Sequence, residues 1–434
     1  MIPKPDGSFR LILNLKNLNE FIDTEHFKLE DEKVVRRLLT PNCFMATIDL
    51  QDAYYVIPIR VSDRKFLRFW FQGRLFEFTC LPFGLSTAPY TFTKLLKPVV
   101  SYLRKLNYTS VIYLDDILLI ENSEIKCQES VRITIELFKK LGFLINERKC
   151  HKIPSTRCKF LGNIYDSEKM TVELPLEKQE KVKIKIDNFK IMNYCKIRDF
   201  TSFIGTLSSC CSTLKYGRVY MRSFERERFL ALECNNNNFE AHMMLSPSLK
   251  KDFDWWSDNI FQAKNHIKRF DPFIEIFSDA SLSGWGAFCN KLRVNGHWSE
   301  EEKDHHINYL ELLAAWFGLK CFANELSNCD ILLRIDNTTA IAYINKKGGV
   351  KFPTLAKIAK EIWQWCEDRN LWIFASYIAS EDNVEADFES RRLEPETEYT
   401  LSHSAFCQII SKFGNPEIDL FATRTNTKCK KYIS

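Results

Sequence analysis

Apolar runs that end at acidic residues recur along the chain. In the first half, residues 110–114 and 117–120 are apolar and flank Asp115 and Asp116. This pattern predicts a β-hairpin with both carboxylates at its tip. Like charges held so close raise one another's pKa, whereas a divalent cation with oxygen ligands would turn the repulsion into a binding site. Taken alone, an Asp-Asp pair is more often a solvated turn.

A third carboxylate gives the pair its context. The apolar run 43–48 predicts a buried strand and ends at Asp49. Residues 81–89 then form a loop rich in Pro and Gly that leads into an amphipathic helix over 90–103. A site with two metal ions needs carboxylates from separate backbone segments. The sequence therefore predicts that Asp49, Asp115 and Asp116 converge.

The second half of the chain repeats the pattern with four more acids. Acids at strand ends and on a packed helix meet at one edge of a mixed α/β layer, although any one of them alone is more often a solvated surface group. The predicted positions are Asp279 after the strand 273–278, Glu311 at the edge of the buried face of a helix over 307–322, Asp336 after the strand 331–335, and Asp387 on a final helix after the strand 371–377.

The order of motifs in the first half resembles the palm motifs of retroelement reverse transcriptases. Phrases resembling the fingers lie at 4–10 and 15–19, and phrases resembling the last palm motif and the primer-gripping hairpin lie at 141–149 and 159–162. The palm motifs themselves are Asp49 with Ala53-Tyr54, Leu81-Pro82-Phe83-Gly84-Leu85-Ser86-Thr87-Ala88-Pro89, and Tyr113-Leu114-Asp115-Asp116.

This resemblance implies a role for each matching residue. Asp49, Asp115 and Asp116 would bind the metals, and the permanently charged fork of Arg10, with Lys4, would contact the incoming triphosphate. The remaining substrate-binding residues would surround the nucleotide: Tyr54 would lie under the deoxyribose and exclude a 2′-hydroxyl, and Phe83 and Gly84 would shape the pocket. Tyr54 considered alone is more often a core residue.

The second set of acids resembles the Asp-Glu-Asp-Asp quartet of ribonuclease H. The resemblance implies that Asp279, Glu311, Asp336 and Asp387 bind two Mg²⁺ ions and direct water against the RNA strand of a hybrid. Two phrases depart from the family pattern. Residues 377–380 read Tyr-Ile-Ala-Ser where His-Ile-Pro-Gly is usual, and residues 388–391 read Phe-Glu-Ser-Arg in place of a Leu-Ser-Arg ending.

Together these resemblances imply an α+β multidomain fold, in which a right-hand polymerase with palm, fingers and thumb precedes a ribonuclease H-like α/β domain with a mixed sheet. The implied domains are fingers and palm at 1–165, thumb and connection at 166–269, the ribonuclease H-like domain at 270–392, and a C-terminal tail at 393–434. Because Met1 falls almost on the first fingers motif, we expect truncated fingers. Phrases at 204–207, 216–218, 255–256 and 416–424 resemble DIRS-type, tyrosine-recombinase retrotransposons.

The implied activity is that of an RNA-directed DNA polymerase with ribonuclease H. The implied cofactor is Mg²⁺, two ions per site, with Mn²⁺ as an alternative, and the implied partners are an RNA template, a DNA primer, an RNA–DNA hybrid and dNTPs. A catalytically inactive, element-derived protein that binds nucleic acid is the main alternative. A polymerase that copies RNA into RNA is disfavoured by Tyr54 and by the second acid set.

Composition fits a protein that binds nucleic acid. The net charge of +5 is uneven, because residues 1–165 carry +7, residues 166–269 carry +4 and residues 270–434 carry −6. Fifteen cysteines without a CxxC pair argue against zinc and against a disulfide framework. No apolar run is long enough for a membrane span. We therefore expect an intracellular protein of the cytoplasm or nucleus without a membrane partner, and the oligomeric state stays open.

Overall fold

The computed structural model describes residues 2–3, 9–392, 401–420, 422 and 426–433. The chain divides into two compact units. Unit 1 comprises Met1–Lys183, Ser212–Leu214 and Asn259–Arg269, and unit 2 comprises Ile184–Cys211, Lys215–Asp258 and Phe270–Ser434. The four domains predicted from the sequence follow other boundaries and stay a prediction.

Unit 1 is a mixture of antiparallel strands and helices. Its helices are Lys16–Asn19, Glu32–Leu38, Ala88–Lys105 and Glu124–Lys140, and the helix Leu176–Ile191 begins in this unit. Its strands are Ile2–Pro3, Phe9–Arg10, Phe44–Gln51, Arg68–Phe71, Arg74–Glu77, Thr109–Tyr113, Asp116–Glu121, Leu144–Ile145, His151–Ser155, Arg157–Phe160, Asn163–Asp166, Thr171–Glu173 and Lys264–His266.

The central sheet of unit 1 carries the first acid motifs. Its strands lie in the order Thr109–Tyr113, Asp116–Glu121, Phe44–Gln51 and Leu144–Ile145, and His151–Ser155 also pairs with Phe44–Gln51. All these pairs are antiparallel. A second sheet joins Arg157–Phe160, Asn163–Asp166, Thr171–Glu173 and Lys264–His266.

Both faces of the central sheet are buried, because its strands carry apolar side chains on both faces. Ile48 and Leu119 point into one apolar core together with Phe92 and Phe138 of the two long helices. Residues one position along, such as Leu118, belong to a second core. Side chains on a strand alternate between faces with a period of two. The strand register, and with it the position of each acid, is therefore fixed by burial on both sides.

Unit 2 contains a mixed sheet of five strands. Their order is Leu292–His297, Gly284–Cys289, Pro272–Ala280, Asp330–Ile335 and Trp372–Tyr377, antiparallel among the first three strands and parallel among the last three. The remaining strands are Tyr194–Lys196, His242–Met244, Ile418–Leu420 and Lys431–Ile433. The helices are Ile197–Ser208, Arg222–Cys234, Lys250–Asn259, Glu300–Lys303, Ile307–Ala323, Thr338–Asn345, Pro353–Asp368, Val384–Arg391 and His403–Phe413.

Two helices set the geometry of this sheet. Ile307–Ala323 is buried along most of its length, from Leu310 to Trp316 without a break. Val384–Arg391 crosses the strand Gly284–Cys289 so closely that a Cβ at Gly286 would overlap the backbone of that helix. Only glycine therefore permits this approach. Among the described residues, no helix has both the length and the apolar character needed to cross a membrane.

Candidate functional site

The first acid cluster lies where the hairpin meets the central strand of unit 1. Asp116 is the first residue of its strand and stands directly opposite Asp49 in the antiparallel register. Directly opposed residues bring their Cβ atoms to about 5 Å. Asp115 occupies the turn, and its backbone carbonyl accepts a hydrogen bond of 2.9 Å from the amide of Leu50. The strand continues past Asp49, which was predicted to end it, to Gln51.

The electrostatics of this cluster favour a cation. Burial, followed by the negative charges of Asp115 and Asp49, raises the pKa of Asp116 to about 6. One cation is already close, since Lys149 Nζ lies 3.7 Å from Asp49 Oδ2. Carboxylate oxygens that lie close together and repel one another are suitable ligands for a divalent metal ion. The described residues therefore fit a metal between Asp49 and the hairpin.

A cavity of about 280 Å³ opens beside these acids. Its lining includes the charged residues Asp49, Asp115 and Lys149 and the aromatic residues Tyr54 and Phe83. The two rings stack with centroids 4.9 Å apart, and Tyr54 is 7% exposed. Tyr54 is thus both a core residue and part of the cavity wall.

The loop before the first long helix is held by a residue that the sequence did not single out. The side-chain amide of Asn19 donates to the carbonyl oxygen of Gly84 at 2.9 Å and accepts from the amide of Ser86 at 2.9 Å. Gly84 has a φ of +111°, and a Cβ there would overlap the carbonyl oxygen of Leu13. Its place in the predicted fingers phrase was the only signal for Asn19.

The two predicted triphosphate contacts are only partly described. Arg10 lies in the short strand Phe9–Arg10, paired with Ile2–Pro3, and its side chain is not among the described parts. Lys4 lies outside the described residues. Their roles stay predictions.

The second acid cluster is tighter. Asp279 lies in the strand Pro272–Ala280, Glu311 on the buried helix, and Asp336 directly after the strand Asp330–Ile335. One oxygen from each of the three lies within 4.8 Å of the others, and this is the one such group of acids in the described part of the chain. The cluster forms because two parallel strands bring their carboxyl ends to the same sheet edge.

Glu311 carries the strongest perturbation in this cluster. Its side chain is buried rather than at the edge of the apolar face, and Oε2 has no hydrogen-bond partner among the described residues. Burial, then the charges of Asp279 and Asp336, raises its pKa to about 9. A buried acceptor without a partner is costly, and a bound cation would satisfy it. These residues therefore fit a divalent metal.

Two serines hold the other members of the cluster in place. Ser390 donates to Asp279 Oδ2 at 2.6 Å, and Ser380 donates to Asp336 Oδ2 at 2.7 Å. Burial raises the pKa of Asp279, and the bond from Ser390 opposes that rise. Both serines lie in the two phrases that depart from the ribonuclease H pattern. The departures were visible in the sequence, but the contacts were not.

The fourth predicted acid of the quartet has a different partner. The guanidinium of Arg391 contacts Asp387 Oδ1 through Nε at 2.9 Å and Nη2 at 2.7 Å. Asp387 is not part of the three-residue group. Its helix nevertheless lies close by, since Ser390 of the same helix contacts Asp279.

Residues 2–165 match the family model described as reverse transcriptase (RNA-dependent DNA polymerase). This segment is a reverse transcriptase domain of the retroelement polyprotein type. The chain is 21% identical over 446 residues to the genome polyprotein of Petunia vein clearing virus (isolate Shepherd), covering 98% of this chain and 18% of that protein. It is 27% identical over 351 residues to the transposon Tf2-3 polyprotein of Schizosaccharomyces pombe, covering 75% and 24%. The chain thus spans less than a quarter of either relative.

Solved structures share the fold beyond the reverse transcriptase domain. The foamy viral protease-reverse transcriptase in complex with RNA/DNA hybrid matches with a TM-score of 0.50 at 14% identity, over 92% of this chain and 52% of that one. The same enzyme with dsDNA matches with a TM-score of 0.50 at 16% identity, over 87% and 76%. The predicted fold class, a polymerase followed by a ribonuclease H-like domain with a mixed sheet, is confirmed.

Proposed function

We propose that this chain is an RNA-directed DNA polymerase that also cleaves the RNA strand of RNA–DNA hybrids. The observation that carries the polymerase is the pairing of Asp49 with Asp116, next to a cavity that Asp49 and Asp115 line together with Tyr54 and Phe83. Carboxylates next to a pocket suit phosphoryl transfer, which depends on positioning and electrostatics. The reverse transcriptase domain found in this segment supports the same reaction.

In this mechanism the protein's residues position the reactants. Asp49 and Asp116 would hold Mg²⁺, with Asp115 as the third acid, and Mn²⁺ is the alternative ion. When bound, such ions act as Lewis acids on the attacking and leaving oxygens. The Tyr54 ring, fixed against Phe83, would leave no space for a 2′-hydroxyl and so would favour dNTPs. Lys149, near Asp49, is placed to neutralise phosphate charge.

The nuclease proposal rests on the tight group formed by Asp279, Glu311 and Asp336. The partnerless Oε2 of Glu311 and the raised pKa of that carboxyl support metal binding there. Ser390 and Ser380 would keep two of the carboxylates oriented. Asp387 would join the group only after its contact with Arg391 opens.

The finer assignments form part of the same proposal. The substrates would be an RNA template, a DNA primer, dNTPs and an RNA–DNA hybrid. The foamy viral enzyme of similar fold was solved with an RNA/DNA hybrid and with dsDNA. The source would be a retrotransposon of the DIRS type, acting inside the cell. Part of the terminal phrase behind that assignment lies outside the described residues.

Primer extension tests the polymerase. The purified chain, given a DNA primer on an RNA template with Mg²⁺, should incorporate dNTPs. The double variant Asp115→Asn/Asp116→Asn should lose activity on the order of a hundredfold or more. Glu136→Gln, an exposed acid on the helix Glu124–Lys140, is the matched control and should extend normally. Equal extension by the parent and the double variant would refute the assignment.

Hybrid cleavage tests the nuclease separately. Asp336→Asn should abolish release of labelled RNA fragments and leave primer extension intact. Glu300→Gln, with a side chain that is 90% exposed, is the control. Cleavage that persists in Asp336→Asn would exclude this cluster as the nuclease site.

One observation favours the alternative of an inactive protein that binds nucleic acid: the engagement of Asp387 by Arg391, which leaves three acids in the second group. Retained binding to a hybrid, with neither dNTP incorporation nor cleavage by the parent chain, would support this alternative. Equal use of ribonucleotides and dNTPs would instead remove the proposed role of Tyr54.

A further inference from the structure

A second cavity in unit 1, of about 520 Å³, lies at the outer edge of the central sheet. We refer to it as the basic cavity. It is bordered by Lys28 and Glu30, by one face of the helix Ala88–Lys105, and by the edge strand Thr109–Tyr113. Its volume is in the range of sites for small organic ligands. None of the catalytic roles proposed above uses it.

The rim of the basic cavity carries excess positive charge. Four cationic side chains line it, namely Lys28, Lys97, Arg104 and Lys105. Glu30, the one acid of the lining, pairs with Arg104 at 2.5 Å and accepts the amide of Ile112 at 2.9 Å. The three lysines have no ion pair with any described residue. An anion bound there would therefore lie close to several positive charges that no acid among the described residues neutralises.

The floor of the basic cavity is apolar. It consists of Leu96, Val100, Ile112 and Leu114. A simple inorganic anion would leave this surface in contact with water, whereas an apolar or aromatic body would cover it. The combination of floor and rim thus fits a small amphipathic anion.

Leu114 connects this cavity to the first acid cluster. This residue lines the basic cavity and also the cavity that contains Asp49 and Asp115. Leu114 has a φ of +55°, a conformation that a leucine adopts only when its surroundings impose it. A molecule packed against Leu114 would therefore affect the conformation of the turn that positions Asp115.

We propose that the basic cavity binds a small organic anion with an apolar body, and that its occupancy controls the position of Leu114 between the two cavities. The binding itself does not depend on any catalytic activity. The effect on DNA synthesis rests on the proposed polymerase function. By reciprocity, an occupant that alters nucleotide affinity must have its own affinity altered by the same factor.

The binding test uses the fluorescent probe 8-anilinonaphthalene-1-sulfonate and the full chain without nucleic acid. Titration should show a saturable site that Lys28→Gln/Lys97→Gln weakens by about tenfold or more. Ser101→Trp, which fills the basic cavity from an exposed helix position, should remove the site. Lys94→Gln is the matched control, because Lys94 lies on the same helix, contacts Tyr90 and does not line the cavity.

Competition experiments test whether the site requires the apolar body of the proposed ligand in addition to its negative charge. 2-Naphthalenesulfonate should displace the probe, and sulfate should do so at least tenfold less well. Equal displacement by sulfate would overturn the amphipathic assignment. Equal probe binding by the parent, the double Gln variant and Ser101→Trp would overturn the site itself.

The control of Leu114 is tested by primer extension. Saturating 2-naphthalenesulfonate should change the KM for dNTP severalfold in the parent and leave it unchanged in Ser101→Trp. An unchanged KM in an active parent that binds the probe would overturn the coupling. If the parent extends no primer, the proposed function fails, and the fluorescence titration still decides the site.

Discussion

Because Glu311 is buried, we predict that replacing its carboxyl group with an amide stabilises the metal-free protein at neutral pH. Its pKa in the folded chain is about 9, against 4.5 for the unperturbed group. Between these values the folded chain keeps a proton that the unfolded chain has lost. The stability linked to Glu311 is therefore complete below about pH 4.5 and falls as the pH rises toward 9. Asp279 shifts in the same direction.

The magnitude follows from the two pKa values. At 1.36 kcal/mol per unit, the Glu311 contribution to the free energy of unfolding falls by roughly 2.5 kcal/mol between about pH 5 and pH 7. In Glu311→Gln this loss is absent, because the amide does not titrate. Stability of the variant relative to the parent should therefore rise by roughly 2.5 kcal/mol over this interval in EDTA. In excess Mg²⁺ the parent should instead be more stable than Glu311→Gln, because the ion stabilises only the protein that binds it.

Urea unfolding followed by tryptophan fluorescence provides the assay. Of the nine tryptophans, only Trp70 lies outside unit 2, so the signal reports mainly on the unit that contains Glu311. Glu300→Gln, which alters an exposed acid, should follow the parent at every pH. The reasoning is refuted if Glu311→Gln and the parent lose the same stability between pH 5 and pH 7 in EDTA.

Three further predictions concern single contacts. Gly84→Ala should destabilise unit 1 by about 2 kcal/mol or more in urea unfolding, whereas Gly73→Ala, at a glycine with positive φ but open space around it, should cost about 1 kcal/mol. Asn19→Ala should cost about 1–2 kcal/mol and raise the KM for dNTP, and the exposed Asn17→Ala should do neither. Arg391→Gln should lower the Mg²⁺ concentration for half-maximal hybrid cleavage by about two- to fivefold, and an unchanged or higher requirement would contradict the competition between the guanidinium and a metal.

The predicted hairpin and strands agree with the structure because their signals are local. Asp115 and Asp116 lie between two apolar runs, and the residues of those runs are buried almost without interruption in both strands. The helix predicted over 90–103 extends over Ala88–Lys105, since a proline is well tolerated in a first helical turn. The observed ends of these elements therefore differ from the predicted ends by a few residues, whereas the predicted types, helix or strand, agree with the structure.

Contacts between distant segments were beyond the sequence patterns. Asn19 and Gly84 are 65 positions apart, and Ser390 and Asp279 are 111 apart. Short polar side chains such as Asn and Ser can bond to many partners, so the pattern alone does not select one. The burial of Glu311 was underestimated for a related reason. Its helix is covered on nearly every side, and a helical stripe of apolar residues indicates only one buried face.

The strand Lys264–His266 has a practical consequence for anyone who wishes to prepare the reverse transcriptase domain by itself. It pairs with Thr171–Glu173 and completes a sheet of unit 1, although most of the intervening chain belongs to unit 2. A fragment that ends near residue 183 would expose the row of amides and carbonyls along Thr171–Glu173. Unpaired edges of this kind recruit strands from other molecules. A circularly permuted or internally spliced fragment that keeps residues 259–269 would avoid such self-association, whereas simple truncation would invite it.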